Sequence, residues 1–202
     1  AIHEYGKPHW MTETGPQAAD NRWVDGGPDG KTISYNKNGE PQGLEAGAMS
    51  AVGGRLHYAM VYGNTSAWIF WQITSAQMTV HALMEGDQPD NKYHAAKHFW
   101  RWIRPGAVRI QAGPDGGKEG LCVSAYQHVE NGTVTIVLLN RSHDNADITF
   151  DLKTEVPVEA FEVFRSTEAE HCAQQPVLAV KNGKTSLRMP PRSMVTLYGG
   201  IE

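Results

Sequence analysis

Two groups of residues have the types and spacing for chemistry. The first is Glu13, which ends the short run Lys7 to Glu13 and precedes Thr14-Gly15-Pro16, where glycine and proline stop regular structure. Alternation along a strand puts Met11 and Glu13 on one face and Trp10 on the other, so Trp10 is expected to pack. In a β/α barrel, active sites lie at the C-terminal ends of the strands. A carboxylate there suits attack on an anomeric carbon, whose oxocarbenium-like transition state needs a nearby negative charge. An ordinary strand-end ion pair is the competing reading from chemistry alone. The second group is His94 and His98, four apart on one helical face. The stretch His-Ala-Ala-Lys-His lacks the glutamate of a zinc hydrolase and no third ligand is evident, so these read as solvated surface imidazoles and no metal is expected. Asp29 and Asp115 sit in glycine-rich turns without the spaced acidic ligands of a calcium loop, and turn chemistry accounts for them. With no Gly-x-Ser-x-Gly elbow, phosphate loop or dinucleotide fingerprint, no cofactor is expected.

Composition narrows the partners. Lys plus Arg number 18 against 22 Asp plus Glu in 202 residues, a net charge of -4 that gives no footprint for nucleic acid or an anionic membrane. No apolar run approaches the roughly 20 residues needed to span a bilayer, and Ala1 to Lys7 lacks the regions of a secretory signal, so the chain reads as soluble. Six Trp, seven Tyr and five Phe supply flat faces of the kind that stack on sugar rings, although most aromatics fill cores. Cys122 and Cys172 leave a disulfide open and make no structural zinc site by themselves. Asn64-Thr65-Ser66, Asn131-Gly132-Thr133 and Asn140-Arg141-Ser142 fit the glycosylation pattern, which matters in a eukaryotic secretory setting.

The elements that must position these residues fall into two textures. Residues 7 to 104 read β-loop-α-β-loop-α, the pattern of units around a parallel sheet. The first strand is followed by a loop over 16 to 43, rich in turn signals and long enough to suggest function. Met49, Val52, Leu56 and Ala59 recur at helical spacing, with Gly63 as a C-terminal cap. Ala67 to Ile73 is almost continuously apolar, as for a strand buried on both faces. Tyr93, Ala96, Trp100 and Ile103 mark a second helix, capped by Asp90 or Asn91 and stopped at Pro105-Gly106. Beyond Pro105 only short strands follow, eight of them, separated by turns that include Asn131-Gly132 and Asn182-Gly183. That spacing predicts an antiparallel sandwich, with a boundary between about Gly106 and Gly120.

The run Lys-Pro-His-Trp-Met-Thr-Glu-Thr-Gly at 7 to 15 resembles the seventh barrel strand of family 30 glycoside hydrolases, whose Trp-Met-Thr-Glu core holds the nucleophile. Ala67-Trp68-Ile69-Phe70-Trp71-Gln72 is similar to the family's eighth strand, and Phe99 to Ile110 to its helix-to-sandwich junction. Ser124-Ala125-Tyr126, Val137 to Asn140, Phe164 to Thr167 and Leu187 to Ser193 resemble landmarks of its side sandwich, in the same order. The resemblance implies a fold of α/β plus all-β class: residues 1–106 as the C-terminal part of a (β/α)8 barrel and 107–202 as a side β-sandwich. It implies Glu13 as nucleophile and Trp71 and Trp68 as aromatics lining the sugar site. Substrate is then a polysaccharide or oligosaccharide, and secretion follows from the resemblance alone.

One departure is large. The family's acid/base glutamate lies on an earlier strand, after an Asn, and the 202 residues hold no such segment. Retention needs two carboxyl groups about 5 to 5.5 Å apart. The chain is therefore expected to be inactive alone and to require a companion chain or self-association, which would also cover the apolar faces of a partial barrel. After the eighth strand Gln72 to Gln77 has no basic residue, unlike the glucuronoxylan-specific branch, which speaks against glucuronate recognition. The rival reading is a non-catalytic carbohydrate-binding or purely structural sandwich.

Overall fold

The computed structural model describes residues 7–14, 23, 47–76, 81–113 and 120–200. The chain divides into two compact units, 1–93 and 94–202. Asp29, Asp115 and the loop over 16 to 43, apart from a fully buried Trp23, lie outside the described residues.

In the first unit, β1 (His9–Thr14) and β2 (Thr65–Phe70) pair in parallel, with His9 opposite Thr65, Met11 opposite Trp68 and Thr14 opposite Phe70. Register shifts interrupt the ladder between His9 and Trp10 and between Met11 and Thr14. Ahead of β2 a π-helical stretch, Met49–Gly54, tightens into α1 (Arg55–Val61). Met49, Val52 and Leu56 are buried, as their spacing predicted. The π-helical opening is a feature the apolar period does not distinguish from an ordinary helix. The expectation that the eighth-strand segment is buried on both faces is corrected, since Ile69 is 52% exposed and only Phe70 of β2 is buried. The sheet has two strands among the described residues, and a two-stranded ribbon leaves much of its surface open.

Between β2 and the next helix lies a small sheet the sequence did not reveal: β3 (Thr74–Ser75), β4 (Met84–Glu85) and β5 (Gln88–Pro89). Two-residue strands carry no periodic signal. Helix α2 (Asn91–Trp100) follows, ending earlier than Ile103. Of the two candidate caps Asp90 is the one used: its Oδ1 accepts the backbone N–H of Lys92 at 2.7 Å and of Tyr93 at 3.3 Å.

The second unit is layered. Six strands form its main sheet in the order β11-β10-β13-β8-β7-β6, antiparallel throughout: β6 (Val108–Ile110), β7 (Leu121–His128), β8 (Thr133–Asn140), β10 (Ala160–Ser166), β11 (Ala173–Ala179) and β13 (Ser193–Gly200). A second sheet pairs β9 (Ala146–Asp151) with β12 (Lys184–Met189). The core between them joins Val134, Ile136 and Leu138 of β8, Phe161 and Val163 of β10 and Val195 and Leu197 of β13 to Ala146 and Met189 of the smaller sheet. The opposite face of the main sheet is covered by the C-terminal part of α2 and the turn after it. There the Trp102 ring packs on Phe164 at a tilt of 32° with centroids 4.4 Å apart, and the Thr135 hydroxyl donates to the Trp102 carbonyl. Covered on both faces, β8 reads Thr-Val-Thr-Ile-Val-Leu-Leu-Asn without alternation.

The two Asn-Gly pairs take different turns. At Asn182-Gly183 both residues have positive φ (51° and 72°) and Lys181 and Lys184 exchange backbone hydrogen bonds, the two-residue hairpin of the type I′ kind. Asn131-Gly132 closes a longer loop, with the Gly132 N–H donating to the Val129 carbonyl. No disulfide joins Cys122 and Cys172, so the bridge left open by the sequence is not made.

Candidate functional site

Glu13 lies exposed one residue from the end of β1. Trp71 follows the last residue of β2 and is 57% exposed, and its backbone N–H donates to the Thr14 carbonyl at 2.8 Å. Because the strands run parallel, that hydrogen bond brings the Glu13 and Trp71 segments to the same C-terminal edge, the edge where parallel β/α structures place their ligands. Trp68, half-buried, sits further back opposite Met11 and packs its ring on Phe70 at 5.6 Å. It holds the strand pair while Trp71 presents a free ring face.

Beyond Trp71 the chain is held through both backbone groups of one residue. The Gln72 N–H donates to the His81 carbonyl at 2.6 Å, and the Gln72 carbonyl accepts from Leu83 N–H at 3.1 Å. The Trp71-Gln72 peptide is cis. Thr74 donates its hydroxyl to the Gly86 carbonyl at 2.6 Å, tying the small sheet β3-β4-β5 to itself just past the edge. The expectation that Trp10 packs is corrected: it is 60% exposed. Exposure along β1 does not alternate, and the shifted register between Met11 and Thr14 is the reason alternation fails as a guide to facing here. An exposed Trp10 near the start of the strand was missed because a period-2 rule assumes an unbroken ladder.

The two helix histidines are corrected in the same way. His98 is fully buried and His94 half-buried, its ring stacked on His171 at 5.0 Å. Every proton around His98 has an assigned place. Thr196 donates its hydroxyl to the His98 carbonyl at 3.0 Å, so its oxygen is free to accept from Nδ1–H at 2.8 Å. Nε2 then accepts from the Ser166 hydroxyl at 2.8 Å, whose oxygen accepts the Cys172 N–H at 2.7 Å. A neutral imidazole with its proton on Nδ1 satisfies this chain of bonds. Burial, helped by His94 and Lys97, drives the His98 pKa down to about 3. Burial first, then His171 and Lys97, takes His94 down to about 4. These are structural histidines. Among the described residues no three His, Cys, Asp or Glu side chains gather to hold a metal, and no helix is long and apolar enough to cross a membrane.

In chain order, the parallel strand pair that brings a carboxylate and a tryptophan to one edge is followed by an antiparallel sandwich. Residues 106–197 match the model of the Glycosyl hydrolase family 30 beta sandwich domain, and the chain's resemblance to the C-terminal portion of family 30 proteins stands. Glucuronoxylanase XynC of Bacillus subtilis is 26% identical over 148 residues, 73% of this chain and 29% of that protein. A GH30 endoxylanase from Clostridium papyrosolvens superposes with a TM-score of 0.74 at 21% identity, over 99% of this chain and 44% of that one. The subfamily 8 xylanase Xyn30A from Clostridium acetobutylicum gives 0.76 at 20% identity, over 98% and 44%. At these identities the structural likenesses establish the fold. The chain spans about 29% of the length of the curated relatives it matches.

Proposed function

We propose that the chain is the nucleophile-bearing portion of a retaining β-glycoside hydrolase acting on a xylan-like or other β-linked polysaccharide. The observation that carries this is the shared C-terminal edge, where the Trp71 N–H bonds to the Thr14 carbonyl beside Glu13. In the reaction Glu13 attacks the anomeric carbon and forms a glycosyl ester, while a second carboxyl group protonates the leaving oxygen and then activates water. Trp71 offers its ring to the apolar face of a sugar, and Trp68 braces the strand beneath. Residues 1–106 are assigned to the barrel portion and 107–202 to the side sandwich, an assignment supported by the start of the family match at 106. Glucuronate recognition is left out, because Gln72 to Gln77 offers no cation for its carboxylate.

The second carboxyl group comes from a further segment, the rest of the barrel or a companion chain. The sandwich supports the need for one. Two strands face six, and a cleft of about 530 Å³ opens between the sheets, lined by Ile110, Leu121, Val123, Ile148 and Phe150. Those side chains are only partly buried. An additional strand beside β9 would cover them. A polymeric substrate cannot enter a cell, so the site of action is extracellular.

The test is reducing-sugar release from xylan and β-glucan, with the mass in solution measured on the same sample. The chain alone is expected to release nothing. Supplied with the missing barrel segment, it should gain activity that falls at least about a thousandfold on Glu13→Gln. Activity indifferent to Glu13 sinks the assignment. Retention on insoluble xylan that survives Glu13→Gln, with no hydrolysis in any combination, would instead make this a binding module.

A further inference from the structure

The three Asn-x-Ser/Thr triplets take no part in the proposed site, and the structure separates them. Transfer of an N-linked glycan needs an accessible side-chain amide with the hydroxyl two residues on. The product keeps one N–H where the free amide had two.

Asn140 ends β8 and is 1% exposed. Its Nδ2 spends both protons, donating to the Asp144 carbonyl at 2.9 Å and the Pro190 carbonyl at 2.8 Å. Its Oδ1 accepts the Ser142 N–H at 3.2 Å and the Ser142 hydroxyl at 2.8 Å, so the hydroxyl of the triplet is engaged as well. A sugar on Nδ2 would remove one of the two donations and has no space to occupy. Asn64 is exposed and left-handed, with φ 46°, in the turn that leads into β2. Asn131 is exposed in the β7–β8 loop, where its backbone N–H, not its side chain, bonds to His128 Nδ1 at 3.2 Å.

We infer that Asn64 and Asn131 are N-glycan acceptors when the chain passes through a eukaryotic secretory pathway, and that Asn140 is a structural asparagine whose modification the folded chain cannot accommodate despite its motif. In the transfer, Asn Nδ2 attacks C1 of a lipid-diphosphate-linked oligosaccharide. The N–C1 bond forms, the C1–O bond to the diphosphate breaks with its electron pair, and one Nδ2 proton is lost to base. A glycan on Asn64 sits at the start of β2, and Trp71 follows its end, so the six-residue strand at about 3.3 Å per residue keeps them roughly 20 Å apart. The edge that carries Glu13 stays open.

Secretion of the chain from yeast, with release of glycans by peptide-N-glycosidase in heavy-oxygen water, converts each former site to a labelled Asp readable by peptide mass spectrometry. Only protease-resistant, folded chains are scored. Label is expected at 64 and 131 and not at 140. Asn64→Gln and Asn131→Gln should each remove one glycan, and both together should leave none. Label at Asn140 overturns its exclusion, and its absence at Asn64 or Asn131 overturns that acceptor. Asn140→Gln keeps an amide but displaces it by one methylene, so both glycans should remain while the melting temperature falls by several degrees. An unchanged melting temperature would refute the structural role.

Discussion

His98 shows how a single residue can carry a motif's spacing and none of its chemistry. Both ring nitrogens are occupied by Thr196 and Ser166, and the imidazole is neutral and buried. Truncation by His98→Ala leaves the Ser166 hydroxyl proton without its acceptor, removes the Nδ1 bond to the Thr196 oxygen and opens a cavity, and should cost about 2–4 kcal/mol in denaturant unfolding. The pH dependence follows from the direction of the shift. The unfolded imidazole titrates at 6.5 and the folded one at about 3, so between those values only the unfolded chain takes up the proton. The stabilisation is complete above about pH 7 and falls as pH drops, by about 1.4 kcal/mol per unit within that window. His94 acts in the same direction down to about pH 4. Urea midpoints at a series of pH values below 6.5 should therefore decline steadily, and a flat series would contradict the burial of these rings. Cys172, left-handed with φ 53° and buried, has its thiol pushed up to about 12 by desolvation, so thiol reagents at neutral pH should spare it until the chain unfolds. Neither outcome was visible in the sequence. The i, i+4 spacing shows that two histidines share a helical face but not whether that face meets water or a sheet.

At the scale of elements, legibility followed periodicity. β7 and β8 begin and end where the apolar runs do, because β8 is sealed on both faces and its partner is a sequence neighbour. β3, β4 and β5 escaped notice because two residues make no pattern, and β2 was read as doubly buried because its sequence says apolar without saying what covers it. Arg165 and Glu170 explain a family landmark structurally: a two-pronged pair at 2.6 and 2.7 Å shapes the loop that delivers the Cys172 N–H to Ser166. Gly106 ties α2 to the sheet by another route. Its φ is +97°, a Cβ there would lie 2.8 Å from His128 Nε2, and that nitrogen donates to the Pro105 carbonyl at 2.9 Å. Gly106→Ala should therefore cost about 2 kcal/mol or more, measured by thermal unfolding, against a few tenths for an alanine placed in exposed Gly113. At the start of α2, Asp90 caps the helix and also faces the fully buried Lys92 ammonium at 3.4 Å. Loss of a cap alone costs about 1 kcal/mol, and Asp90→Ala also removes the buried ion pair, so its penalty in thermal unfolding should exceed that of the cap.

The whole molecule is unevenly provided for. Its main sheet is thick with buried apolar side chains, while the smaller sheet and the β1–β2 ribbon leave Ile69, Trp10 and the rim of the inter-sheet cleft in contact with water. Sedimentation of the purified chain should show mass rising with concentration through the micromolar range, and added barrel segment should suppress that rise. A strictly monomeric chain would mean these faces need no cover. The resemblance made the fold legible at this scale, and it named Glu13 and Trp71. Residue types alone left Glu13 as one exposed carboxylate among many. The doubly sealed strand β8 has a further consequence, for handling. Val134 to Leu139 is six residues of high β-propensity with no charge and no proline, the makings of a steric zipper if the layers part before the hairpin closes. The segment that anchors the native core is thus the one to guard during expression. A lysine introduced at an interior position of it would lower the aggregation rate from the denatured state only at the expense of the fold.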